Sequence, residues 1–175
     1  MIESWGQLLS LLPASRLLLK ALQLADARVR KELADSFGNL GIAPDRVQFH
    51  SRLHSRRNHL DLYSEIDIAL DTFPYCGAPT TCEALWMGVP VVTLKGTRHA
   101  AHDGANLLTA ANLSEWIASS EDECLAIATG LVENRPRRST LRQSVAQSAL
   151  IDAPDFIAAF EQALRDIWQY RYVYA

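Results

Sequence analysis

Short apolar runs alternate along this chain with stretches in which apolar residues recur every three or four positions. The first pattern suits strands buried on both faces, and the second suits helices with one buried face. Leu8, Leu9, Leu11 and Leu12 ahead of Pro13 predict a helix over residues 3–12, and the run 15–20 predicts a first strand. Val29, Leu33, Phe37 and Leu40 share one stripe of a helix over 25–40, punctuated by Gly38 and Gly41. After the turn Ala43-Pro44-Asp45, residues 47–50 predict a second strand. Ser55 is placed to cap a helix carrying Leu60, Leu62 and Tyr63. Residues 66–71 and 90–94 read as third and fourth strands, separated by a short helix over 80–87 that Gly88 closes. A helix over 99–111, a weak strand over 115–118 and helices over 120–133 and 136–149 follow. The last helix runs from about 155 to 171, with a stripe of Phe156, Phe160, Leu164, Ile167 and Trp168.

Strands alternating with helices predict an α/β fold, a parallel sheet with helices on both faces and a helical C-terminal tail. No repeat, low-complexity segment or linker divides the chain, so residues 1–175 read as one domain. With 49% hydrophobic and 21% charged residues the composition is ordinary for a globular protein. A formal charge of -3 gives no reason to expect nucleic acid or an anionic membrane as partner. No apolar run approaches the roughly 20 residues that span a bilayer, and residues 1–5 do not resemble a signal peptide. Cys76, Cys82 and Cys124 are scattered, without a C-x-x-C pair. Neither a disulfide framework nor a zinc site is expected, and the default compartment is a reducing cytoplasm.

In a parallel sheet covered by helices, ligands sit at the carboxyl ends of the strands. After the third strand comes a loop rich in Pro and Gly, 71–79, and then Thr80-Thr81-Cys82-Glu83 at the expected start of a helix. Helix amino termini offer unpaired N–H groups and a positive dipole end, which suit phosphate oxygens, and two hydroxyls add donors. On residue type alone Thr80 is as readily an N-cap, Glu83 a capping-box residue, and Asp71 a turn anchor. Trp86 and Met87 read as core, and Cys76 and Cys82 as small apolar packers.

The run 70–75 (Leu-Asp-Thr-Phe-Pro-Tyr) with 80–94 (Thr-Thr-Cys-Glu-Ala-Leu-Trp-Met-Gly-Val-Pro-Val-Val-Thr-Leu) closely resembles the carboxy-terminal region of the O-linked N-acetylglucosamine transferases of SPINDLY type. The resemblance extends upstream through 15–20, Arg46-Val47 and His59. Downstream it takes in 96–100 and the last helix, so it covers nearly the whole chain. It implies the C-terminal, Rossmann-like half of a GT-B glycosyltransferase, holding a UDP-sugar such as UDP-N-acetylglucosamine for transfer to a Ser or Thr hydroxyl. Thr80 and Thr81 would then donate to the diphosphate, and Glu83 would hold ribose hydroxyls. His59 would lie near the uracil and phosphates, Arg56 would approach the nucleotide, and Arg98 and His99 would stand on the same rim. The resemblance implies no metal, and the catalytic base and the protein acceptor would belong to an N-terminal half.

This sequence departs from the family pattern in places. Members carry a strand ahead of the first helix that ends in a lysine facing the diphosphate, so a chain starting at that helix is expected to lack it. Either a gap in the sheet or direct pairing of the flanking strands should follow, with homo-oligomerisation as one repair. Pro79 stands where a third threonine is common, and Ala101-His102-Asp103 replaces a cationic stretch. The sequence also admits two other readings: a noncatalytic nucleotide-binding or interaction module, and a different GT-B enzyme such as a UDP-N-acetylglucosamine 2-epimerase relative.

Overall fold

Every strand pair is parallel, as the long crossovers between the apolar runs require. The computed structural model describes residues 1–173, so Tyr174 and Ala175 of the expected 1–175 unit lie outside the described residues. The order is α1 (Ile2–Leu11), β1 (Leu17–Lys20), α2 (Ala27–Asn39), β2 (Val47–His50), α3 (Arg56–Asp61), β3 (Ala69–Leu70) and α4 (Ala78–Trp86). Then come β4 (Val91–Leu94), α5 (Asp103–Ala110), β5 (Ile117–Ala118), α6 (Glu121–Glu133), α7 (Arg138–Ala146) and α8 (Ala153–Val173). The helix starts follow side-chain caps. Asp26 accepts from the Arg28 N–H at 2.8 Å, Ser55 from Asn58 at 3.1 Å and Ser120 from Glu123 at 3.2 Å.

The fold is α/β with helices flanking parallel sheets, but the one sheet expected from the sequence is two. β1 pairs with β2 in register Leu17 to Val47, and β3, β4 and β5 form a second ladder. β1 and β3 share no pairing, so the arrangement takes the gap rather than the direct pairing of flanking strands. The third strand is also shorter than the apolar run 66–71. Its first residue is drawn into a tight turn, with the Ile66 N–H on the Tyr63 carbonyl at 3.3 Å. The Arg138 guanidinium donates to the Ile66 carbonyl and, at 2.9 Å, to that of Tyr63. Both groups are thereby lost to a ladder.

Two apolar clusters match the two sheets. The larger is built on Leu85, Val89, Val91, Val92, Leu108 and Trp116, and the smaller on Leu9, Phe37, Ile42 and Val47. Helix α1 joins them, because Leu8 packs against the larger cluster while Leu9 lies within the smaller. Arg46 fixes the end of that helix. Its guanidinium donates to the carbonyls of Leu9 and Leu12, each at 2.8 Å, and to that of Ser15 at 2.9 Å. The Leu9 carbonyl is one that the C-terminus of the helix otherwise leaves unpaired.

Helix α8 is where sequence and structure differ most in consequence. The stripe expected along it is present, yet every side chain described between Ala153 and Tyr172 is exposed, Phe156 at 67% and Trp168 at 61%. Trp86, read from sequence as core, is 46% exposed at the end of α4, while Met87 packs against the larger cluster.

Gly88 closes α4 with φ of +76°, and a Cβ there would lie 2.7 Å from the Arg138 carbonyl oxygen and 3.0 Å from its Cα. Gly88→Ala therefore meets both a left-handed backbone and a backbone neighbour that cannot swing away. A loss of at least about 2 kcal/mol in urea unfolding is expected. A change under about 0.5 kcal/mol would show that α4 and α7 are not held together at this point.

Candidate functional site

The loop after β3 is shaped by one carboxylate. Asp71 Oδ1 accepts the N–H groups of Thr72 and Gly77, each at 2.9 Å, and Oδ2 accepts the Thr93 hydroxyl at 2.8 Å. A Cβ on Gly104 would collide with Asp71 Oδ2 and Thr93 Oγ1, so this position in α5 admits only glycine without rearrangement. The Cys76 N–H donates to the Ala100 carbonyl at 2.9 Å and sews this loop to the one that follows β4. Cys76 itself is buried, and burial pushes its thiol above the usual range. Asp71 thus anchors the turn, as its residue type allowed.

That loop delivers α4 earlier than expected. The helix starts at Ala78 with Gly77 as N-cap and Pro79 in its first turn, where a missing N–H costs nothing. Its first bond runs from the Thr81 N–H to the Gly77 carbonyl at 3.2 Å. The N–H groups of Ala78 and Thr80 have no acceptor among the described residues. Thr80 is therefore not the N-cap; its side chain is exposed at the helix mouth. Thr81 is 3% exposed and packs inward, so of the two hydroxyls expected to meet a diphosphate only that of Thr80 stands at the surface. Glu83 lies in the second turn rather than the first, and it makes no capping box.

Glu83 instead meets His59. The Nε2···Oε2 distance is 2.7 Å, with the two side chains 22% and 24% exposed. On the other side of the ring, His59 Nδ1 lies 2.8 Å from Nζ of Lys20. Sequence reading missed Lys20, although a charged residue closing an apolar strand at its carboxyl end was the available signal. Tyr63 packs edge-on against His59 with ring centroids 5.6 Å apart, and its hydroxyl donates to the Thr80 carbonyl at 3.3 Å. The structure thus gathers Lys20, His59, Tyr63, Thr80 and Glu83 where the ends of β1, α3 and α4 converge.

The remaining sequence candidates stand apart from that cluster's hydrogen bonds. Arg56 opens α3, and Arg98 and His99 lie in the loop after β4 that Cys76 tethers; all three are exposed. Their side chains make no hydrogen bond or ion pair among the described residues. Arg57, by contrast, is paired with Asp61 at 3.8 Å. Among the described residues no three His, Cys, Asp or Glu side chains converge as metal ligands, and no helix is long and apolar enough to cross a membrane.

Burial, reinforced by the charge of Glu83, pushes the Tyr63 phenol up to about 12. The sign follows from linkage. In the unfolded chain the phenol loses its proton near its ordinary value of about 10, while the fold retains it, so the contribution to stability is complete below pH 10 and lost as pH rises toward 12. Urea unfolding should therefore show a fall in stability above pH 10 that is smaller in Tyr63→Phe. Equal pH dependence in the two proteins would contradict the burial of this hydroxyl.

The model of glycosyl transferase family 41 matches residues 1–158. A rice protein described as probable UDP-N-acetylglucosamine–peptide N-acetylglucosaminyltransferase SPINDLY is 36% identical over 172 residues, covering 96% of this chain and 19% of its own length. Its Arabidopsis thaliana counterpart, of the same description, is 35% identical over 172 residues, again 19% of its length. Among solved structures, a mutant of the Thermobaculum terrenum O-GlcNAc transferase superposes with a TM-score of 0.87 at 35% identity, covering 96% of this chain and 33% of that one. The chain thus corresponds to a minor part of each of these proteins.

Proposed function

Since the chain belongs to glycosyl transferase family 41, we propose that it is the UDP-sugar-binding half of a glycosyltransferase. Joined to an N-terminal half, it would pass N-acetylglucosamine from UDP-N-acetylglucosamine to Ser or Thr hydroxyls of a protein acceptor. The observation that carries this reading is the placement of Glu83, held by His59, one turn inside the open amino terminus of α4. A ribose and a diphosphate need that pair of features side by side. A carboxylate accepts two hydroxyls, and a helix mouth with unpaired N–H groups accepts phosphate oxygens.

Each residue then has a task. The N–H groups of Ala78 and Thr80 and the Thr80 hydroxyl donate to the diphosphate. Arg56 and Arg98, both exposed, are the cations of the reading and supply charge that the altered 101–103 stretch does not, while His99 offers a ring N–H from the same loop as Arg98. As the sugar departs, negative charge grows on the diphosphate, and donors already aimed at it stabilise that charge without reorganisation. Glu83 fixes the ribose and hence the register of the phosphates. Thr81 holds α4 to the core rather than touching the donor. The reading calls for no metal, and it leaves the catalytic base and the acceptor site to the N-terminal half.

Calorimetric titration with UDP and with UDP-N-acetylglucosamine tests it. Glu83→Ala and Thr80→Ala should each weaken binding, Glu83→Ala by about tenfold or more, as expected for losing hydrogen bonds to a charged acceptor. A chelator should leave the affinity as it was. Unchanged affinity in both variants would sink the site. Turnover of a peptide acceptor by this chain alone would refute the division of labour between halves.

A further inference from the structure

We propose that Lys20 is a positioning residue of this site: from the end of β1 it keeps His59 neutral with its proton on Nε2, and so aims Glu83 at the hydroxyls of a ligand. The consequence for ligand binding rests on the nucleotide-sugar reading; the state of the imidazole does not.

The imidazole is held at both nitrogens, by Lys20 Nζ at 2.8 Å on Nδ1 and by Glu83 Oε2 at 2.7 Å on Nε2. An ammonium group has three donors and no acceptor, so Nδ1 facing it must carry the lone pair. An ionised carboxylate is acceptor only, so Nε2 facing it must carry the proton. The opposite tautomer would set N–H against N–H on one side of the ring and lone pair against carboxylate on the other. A fully protonated ring would require a neutral lysine as acceptor. Yet an ordinary lysine keeps its proton about four pH units above an ordinary histidine. One protonation state therefore satisfies both contacts.

The other groups around the ring do not compete for it. Tyr63 presents the edge of its ring and commits its hydroxyl to the Thr80 carbonyl. On α3 itself, Asn58 is engaged with Ser55, Arg57 is paired with Asp61, and Arg56 points no bond at the ring. With Oε2 of Glu83 committed to Nε2–H, Oε1 has no partner among the described residues and is the oxygen left for a ligand hydroxyl. Because His59 stays neutral, Glu83 keeps its charge uncompensated by the ring. Without Lys20 nothing facing Nδ1 would require a lone pair there, so the ring would be free to carry a proton on that nitrogen and the orientation of Glu83 would no longer be set from this side.

The proton position is read directly from nitrogen-15 spectra of the His59 ring in the full chain at neutral pH. Nδ1 should resonate as an unprotonated nitrogen and Nε2 as a protonated one. In Lys20→Met the Nδ1 signal should move toward the protonated position, and in Lys20→Glu both nitrogens should be protonated. Lys20→Arg, which keeps a cationic donor, should restore the wild-type pattern. Titration with UDP should show about three- to tenfold weaker binding for Lys20→Met, the scale of one lost hydrogen bond, with recovery in Lys20→Arg. Identical ring spectra in Lys20→Met and wild type would overturn the proposal, as would altered spectra with unaltered UDP affinity. Failure of the wild-type chain to bind UDP would count against the nucleotide reading, and the ring spectra would still decide the role of Lys20.

Discussion

The carboxylate of Asp71 receives three hydrogen bonds, and each fixes a different part of the site. The Thr72 N–H starts the loop at the end of β3, the Gly77 N–H ends it one residue before α4, and the Thr93 hydroxyl ties both to the middle of β4. A loop of this length would otherwise sample many paths, at a cost of about 1–2 kcal/mol of entropy per residue ordered. One charged acceptor at its neck selects a single path. The direction in which α4 leaves the sheet follows from that path, and so do the open N–H groups at its mouth. Gly104 is part of the same constraint, since no larger residue leaves room for the carboxylate.

Much of this was legible in the sequence because it rests on local pattern. Apolar runs located all five strands, and Ser55 marked the start of α3 as a capping residue should. The importance of the segment around residues 71–90 was legible too, from its place between strand and helix and from the family resemblance. What escaped depends on partners distant in sequence. Nothing local reveals that Arg138 takes carbonyls from residues 63–66 and so shortens β3, or that Lys20 reaches His59 across 39 residues. The start of α4 was misplaced because Pro79 reads as a breaker, whereas in a first turn it is tolerated. Thr80 and Thr81 look equivalent in sequence, and only the helix phase separates the exposed hydroxyl from the buried one.

Packing explains why two sheets suffice. Each has its own apolar cluster, and α1 stands between them with adjacent leucines turned to different clusters. Arg46 then locks the end of α1 to the start of β2 through three carbonyls, a job for which a planar, multi-donor cation is suited. Helix α1 is thus one link between the two layers, and Arg46 holds its end in place.

The bond from Lys20 to His59 crosses between the same two layers, with Lys20 on β1 and Glu83 on the helix that leads into β4. Binding and folding therefore share a coordinate. A molecule lodged against Lys20, His59 and Glu83 rests on both layers at once, and any work done to part them must first expel it. At a concentration one hundred times its dissociation constant, such an occupant adds about 2.7 kcal/mol to the stability of the assembled form over any form that cannot bind. An occupant of this corner would in that sense be a structural member of the protein, with its release and the separation of the sheets coupled to one another.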